Sequence, residues 1–154
     1  TELAEEYLVK LSDFLRFTVS AQENATILLA EELKFTNDYI DLQKIRFPGS
    51  FFCSISVPET CKNEYRIPVY AIQTLVENAI KHNAFTEDHP LNLSISFQDG
   101  FLIVSNNKIP KPISLSGNGV GLKNLGKRYS MMTENAIEID NNPEMFTVKI
   151  KLLK

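Results

Sequence analysis

Residues 75–83 read LVENAIKHN, and their polar members carry much of the chemistry this chain can offer. Thr74, Glu77, Asn78, Lys81 and His82 recur at three- and four-residue spacing, so on a helix they share one face. Ile72, Leu75, Val76, Ala79 and Asn83 follow the same spacing about half a turn away and would face a core. A carboxylate, a carboxamide, an ammonium and an imidazole on one stripe can be held up to a polar ligand. The same stripe can equally be a solvated face in which Glu77 and Lys81 form a routine i,i+4 ion pair. Residues 117–122, GNGVGL, pose a similar choice. Gly117, Gly119 and Gly121 alternate just ahead of a helical segment. Glycines there let backbone N–H groups approach a phosphate, and the helix dipole favours its charge. A flexible loop would also read this way. The turn that follows is basic, with Lys123, Asn124, Lys127 and Arg128.

These residues need a scaffold, and hydrophobic spacing predicts one. Leu3, Tyr7, Leu8, Leu11, Phe14, Leu15 and Thr18 give a helix from Glu2 to about Ser20 with a wide apolar stripe. A second helix runs from about Leu29 to Arg46 and stops at Phe47-Pro48-Gly49. Phe51 to Val57 alternates as a strand. A polar loop follows, and Pro68 is predicted to open the LVENAIKHN helix, where its missing N–H costs least. Leu91, Leu93, Ile95 and Phe97 alternate with polar residues up to the turn Asp99-Gly100, and Phe101–Ser105 returns. Residues 106–118 read as loop. A helix from about Gly119 to Thr133 points Leu122, Leu125, Tyr129 and Met132 inward. Strands near Ala136–Asp140 and Phe146–Leu153 close the chain. The fold class is α+β, a mixed, mostly antiparallel sheet with helices on one face.

Composition narrows the function. The chain has 154 residues, 44% apolar and 23% charged, which suits one globular domain or one domain with a helical appendage. A net charge of −3 argues against a nucleic-acid footprint, which needs a basic face. Cys53 and Cys61 are too few for a disulfide framework, so free thiols in a reducing compartment are expected. No apolar run approaches the ~20 residues of a membrane span, and no signal-peptide pattern is present. The chain opens at Thr1, which reads as a piece of something longer.

LVENAIKHN resembles the N box of the GHKL ATPase superfamily, and GNGVGLKNLGKRY, residues 117–129, resembles its G2 box. LAEELKFTNDYIDLQKIRF, residues 29–47, is similar to a segment typical of LytS-like sensor histidine kinases, and LSDFLRFTV, residues 11–19, resembles that family's second dimerisation helix. The resemblance covers almost the whole chain. It implies a Bergerat-type two-layer sandwich: an ATP-binding catalytic domain over residues 25–154, preceded at 1–24 by the C-terminal part of the dimerisation and phosphoacceptor region. It implies ATP and Mg2+ as cofactors, with Asn78 the metal ligand and Glu77 the catalytic carboxylate that orients a water or polarises the attacking group. Lys81 and His82 would touch phosphates or the metal's water shell. Gly117, Gly119 and Gly121 would be lid glycines, with Leu122, Lys123 and Asn124 beside the nucleotide.

The chain departs from the family at the G1 box. In place of Asp-x-Gly-x-Gly it reads Val104-Ser105-Asn106-Asn107-Lys108. Asn106 stands where the adenine-reading Asp is expected; its oxygen can still accept a hydrogen bond, without the charge that strengthens one. The lid is short, residues 108–116. The histidines, His82 and His89, lie in the N box and in a loop, so the phosphoacceptor is expected upstream of Thr1. The family further implies a homodimer of the full-length kinase, a cognate response regulator, no nucleic acid, and a place in the cytoplasmic portion of an inner-membrane-anchored bacterial sensor. Two other readings stay open. A degenerate pseudokinase acting by protein interaction is favoured by the lost G1 glycines and opposed by Glu77 and Asn78. A GHKL serine kinase of the anti-sigma type is opposed by the dimerisation segment.

Overall fold

The computed structural model describes residues 2–21, 26–111, 120–130, 133–134 and 136–154. Their order is α1 (Glu2–Ala21), β1 (Thr26–Leu28), α2 (Leu29–Arg46), β2 (Phe51–Ser56), α3 (Glu59–Glu64), β3 (Arg66–Pro68), α4 (Ala71–His82), β4 (Leu91–Gln98), β5 (Phe101–Asn107), α5 (Val120–Ser130), β6 (Ile137–Asn141) and β7 (Met145–Lys151).

Alternation sets the main sheet, whose strand order is β2-β4-β5-β7-β6. β2 runs parallel to β4 and every other pair is antiparallel. Ile55, Ile95, Val104 and Val148 align across the strands as one apolar row facing the helices. On the other face Ser54, Ser94, Ser105 and Thr147 align, and the Ser105 and Thr147 hydroxyls share a hydrogen bond of 2.7 Å. Small hydroxylated side chains let that face of the mostly antiparallel sheet stay wet. Asp99 and Gly100 turn the β4–β5 hairpin with φ of +50° and +81°, the positive values that a two-residue hairpin turn with matching twist requires.

The dry face is covered by helices. α4 buries Ile72, Leu75, Val76 and Ala79, the stripe read from the sequence, in the common core with Leu33 and Ile40 of α2. α1 lies along α2, where Lys10 Nζ meets Asp41 Oδ2 at 2.8 Å.

Several boundaries differ from the sequence reading. Pro68 does not open α4: it ends β3, paired with Thr26 of β1, and the helix begins at Ala71. The polar stretch before it is not only loop, since α3 forms there and buries Cys61. β1 and β3 were both unread, because three residues carry too little alternation; Ile27 and Ile67 become buried partners only once the chain has returned on itself. Residues 106–107 are not loop, because β5 extends through them against β7. α5 is described over Val120–Ser130 and Thr133 is not helical, while Gly119 lies outside the described residues; Leu125 is buried and Leu122 half-buried, and the side chains of Tyr129 and Met132 lie outside the described residues.

Candidate active site

Asn78 and His82 stand one turn apart on α4, beside the buried stripe rather than opposite it. The helix must turn both its apolar face and the edge of its polar face towards the sheet, and the space so enclosed is a cavity. It measures about 300 Å³ and is lined by Asn78, Ala79, His82 and Asn83, with Asn106 of β5, Lys108, Leu122 of α5, Asn141 of β6 and Phe146 of β7. Asn106 pairs across strands with Phe146, and Phe146 with Asn141, so the three continue the helix-facing row to the sheet's end. Carboxamides from α4, β5 and β6 therefore surround a patch of apolar surface from Ala79, Leu122 and Phe146. That mix of apolar walls with a few polar groups suits an aromatic ligand carrying polar edges.

Of the residues singled out by sequence, Asn78, His82, Asn106 and Leu122 meet at this cavity. Glu77, Lys81, Lys123 and Asn124 do not line it; all four are exposed. The Glu77 carboxylate accepts a bond of 2.7 Å from Gln73 Nε2, and among the described residues no ion pair joins it to Lys81. Gly121 lies in the first turn of α5, and Gly117 and Gly119 lie outside the described residues. Asn83, Lys108, Asn141 and Phe146 were not singled out as site residues. Lys108 follows Asn106 by two residues and so shares its side of the strand, a signal that was available. Asn141 and Phe146 enter through strand register, which composition and spacing do not reveal.

Hydrogen bonds stiffen the cavity's rim. Asn83 donates to Ala79 O at 2.8 Å and accepts from the Ile109 N–H at 2.7 Å, fastening the end of α4 to the chain leaving β5. Asn106 Nδ2 donates to Asn107 O at 2.8 Å. Asn107 accepts from Asn92 N–H at 2.7 Å and donates to Pro90 O at 3.0 Å, stapling β5 to the start of β4. Lys108 Nζ donates to Asn141 Oδ1 at 2.7 Å and Asn142 O at 2.9 Å. Where the first G1 glycine would stand, the Lys108 side chain thus binds the end of β6 and the residue after it. Partial burial, with Lys81 and Lys111 nearby, lowers the His82 pKa below its ordinary 6.5 and favours the neutral imidazole. On α2, burial and then the Glu77 charge push the Tyr39 hydroxyl up to about 12, so it stays protonated. Among the described residues no cluster of three or more His, Cys, Asp or Glu could hold a metal ion.

Comparisons with known proteins bear on the family and the fold. A family model described as histidine kinase matches residues 1–51. The chain is 36% identical over 144 residues to the sensor protein LytS of Staphylococcus saprophyticus, covering 83% of this chain and 24% of that protein. It is 42% identical over 86 residues to the sensor histidine kinase/phosphatase LytS of Staphylococcus aureus, covering 56% of this chain and 14% of that protein. The chain therefore spans about a quarter of the first of these relatives. Its fold matches the catalytic domain of the histidine kinase ThkA with a TM-score of 0.51 at 19% identity, over 82% of this chain and 93% of that one. It also matches the blue-light activated histidine kinase EL346 of Erythrobacter litoralis with a TM-score of 0.50 at 12% identity, over 94% of this chain and 53% of that one. The family segment at the start, the LytS relatives and the sandwich with its cavity between α4 and the sheet converge: the chain belongs to the LytS-like sensor histidine kinases and carries their catalytic-domain fold.

Proposed function

We propose that the cavity binds Mg2+·ATP and that the domain delivers the γ-phosphate to a histidine outside residues 1–154. The observation that carries this reading is the meeting of Asn78, His82, Asn106 and Leu122, from α4, β5 and α5, in one cavity with an apolar wall. Asn106 fits adenine in particular. Asn107 O can only accept, so the amide nitrogen is the atom held against it, and Oδ1 is left to receive a donor such as the 6-amino group. Guanine would present a 6-oxo acceptor to the same oxygen. Phe146, cross-strand from Asn106, supplies the apolar wall against which a base can lie.

The donor set fits a metal that arrives with its nucleotide. A single carboxamide, Asn78, with no carboxylate cluster among the described residues, cannot strip and hold Mg2+ alone, but Mg2+ keeps several waters and shares phosphate oxygens. When bound, the metal neutralises phosphate charge, which with positioning is most of phosphoryl-transfer catalysis. Neutral His82 offers a donor or an acceptor to that polar shell. Lys81, Lys123 and Asn124 are exposed on α4 and α5, where they can reach outward to phosphates. Glu77, on the solvent side, is the carboxylate assigned to polarise the attacking group, and Gly117, Gly119 and Gly121 to the lid. Residues 1–24 belong to the dimerisation region and 25–154 to the catalytic domain. The full-length kinase acts as a homodimer, passes phosphate to a response regulator, and keeps this domain on the ATP-containing side of a bacterial membrane. Among the described residues no helix is long and apolar enough to cross a membrane.

Calorimetric titration of the chain with ATP, with and without Mg2+, tests the reading. Binding should require Mg2+ for full affinity, and Asn78→Ala should abolish that dependence while leaving the fold intact, because Asn78 is outside the buried stripe. Asn78→Ala binding Mg2+·ATP like wild type would refute the assignment. The lost G1 glycines, replaced by Lys108 and Pro110, favour a second reading, a degenerate module that has lost nucleotide; that reading expects no heat with or without Mg2+.

A further inference from the structure

Glu32 is wholly buried in the first turn of α2 and does not line the cavity. Its two carboxylate oxygens accept the backbone N–H groups of Tyr70 and Ile72, each at 3.2 Å, from 38 and 40 residues away. Those N–H groups sit at the start of α4. Tyr70, the residue before the helix, holds a left-handed φ of +67° and makes no side-chain cap. Glu32 therefore does from another helix what Ser or Asp at an N-cap does locally, and it places a negative charge at the positive end of α4. A local cap would satisfy the helix end and leave the helix free to tilt. A cap held by α2 fixes direction as well.

We infer that Glu32 is a positioning residue for the nucleotide site: it sets the tilt of α4 against α2, and so where Asn78 stands relative to Asn106 on the sheet. The inference rests on the nucleotide reading above. Asn78 lies seven residues beyond Ala71, about 10 Å along the axis at about 1.5 Å per residue. A tilt of about 6° at the cap would move it by about 1 Å, and displacements of that size cost on the order of a hundredfold in reactions that depend on alignment. α2 is tied at its other end to α1 through Asp41 and Lys10, at 2.8 Å. Movement of α1 thus has a route through one rigid helix and one carboxylate to the metal-facing side chain.

Glu32→Gln keeps the shape but turns one accepting oxygen into an amide that faces an N–H. Calorimetry is run below the melting range of every variant, with Mg2+·ATP and with adenosine. Glu32→Gln should weaken Mg2+·ATP about tenfold and leave adenosine within about twofold, because the base is held from the sheet. Glu32→Asp, which keeps the charge, should recover part of the loss. Leu152→Ala, a core truncation at the end of the sheet away from the cavity, should change neither ligand by more than about twofold. Amide exchange should quicken at residues 70–76 in Glu32→Gln and not in β4 or β5. Unchanged Mg2+·ATP affinity in Glu32→Gln, or equal losses for both ligands, would overturn the inference. If Glu32→Gln does not fold, the same comparison is read from Glu32→Asp. A wild-type chain that binds neither ligand would sink the nucleotide reading itself, and this inference with it.

Discussion

In the proposed nucleotide site, a single atom of Asn106 would select the base. A carboxylate there would attract any donor; a carboxamide has one face of each kind, and the bond from Nδ2 to Asn107 O selects the accepting one. Asn106→Leu should weaken ATP by about tenfold and erase its advantage over GTP together, since one oxygen supports both. A competition assay checks this, and retained preference for ATP would place the base elsewhere. His82 makes a different prediction. Burial, and then Lys81 and Lys111, hold its pKa below the ordinary 6.5, so as pH falls the unfolded chain takes up the proton before the folded one does. The sign follows from linkage: this contribution to stability is complete above 6.5 and is lost as pH drops through the lower folded value. His82→Gln removes the difference, so its melting temperature should fall less than that of wild type between about pH 7 and pH 5. Thermal melts across that range decide it.

Elements differ in how openly the sequence announces them, and the reason is how local their causes are. α2 runs Leu29–Arg46 as its spacing says, and the Phe47-Pro48-Gly49 stop works because Gly49 takes φ +71°. A Cβ at Gly49 would meet only the Glu87 side chain at an ordinary 3.5 Å, so the penalty for adding one is backbone strain rather than crowding. Gly49→Ala should therefore cost about 1 kcal/mol and lower the melting temperature by roughly 2–4 °C, as calorimetry would show. The Asp99-Gly100 hairpin was equally legible, since both residues tolerate positive φ. β1 and β3 were not, because Ile27 finds Ile67 only through tertiary return. The site divides in the same way. Asn78 and His82 follow from helix spacing, and Asn106 from its place after an apolar strand. Phe146 and Asn141 join it through the β5–β7 and β6–β7 registers, and Glu32 reaches α4 across 38 residues. None of those three contacts has a local signature.

At the scale of the whole molecule, the described part of α1 leaves several large apolar side chains exposed. Its inner side meets α2 through Lys10 and Asp41, yet Leu3 is 58% exposed, Leu8 60% and Val9 61%. Leu3, Tyr7 and Leu8 fall within about 140° of arc on a helix, a stripe too broad to be scattered surface leucines. Such a stripe gains by covering itself, and a second copy of the same helix offers a matching face at no cost in specificity. Among the described residues, the side chains that line the cavity all lie between Asn78 and Phe146, and none comes from α1. Association and nucleotide binding should accordingly separate. Sedimentation should show the chain self-associating as concentration rises, and Leu3→Glu combined with Leu8→Glu should leave it monomeric. Calorimetry on that variant should find Mg2+·ATP affinity within about twofold of wild type, because charge added to an exposed stripe costs the fold little. Persistent self-association would assign the interface to another surface. A monomer with weakened ATP binding would mean that pairing of α1 acts on the site, for which the α2–Glu32–α4 connection is the available path.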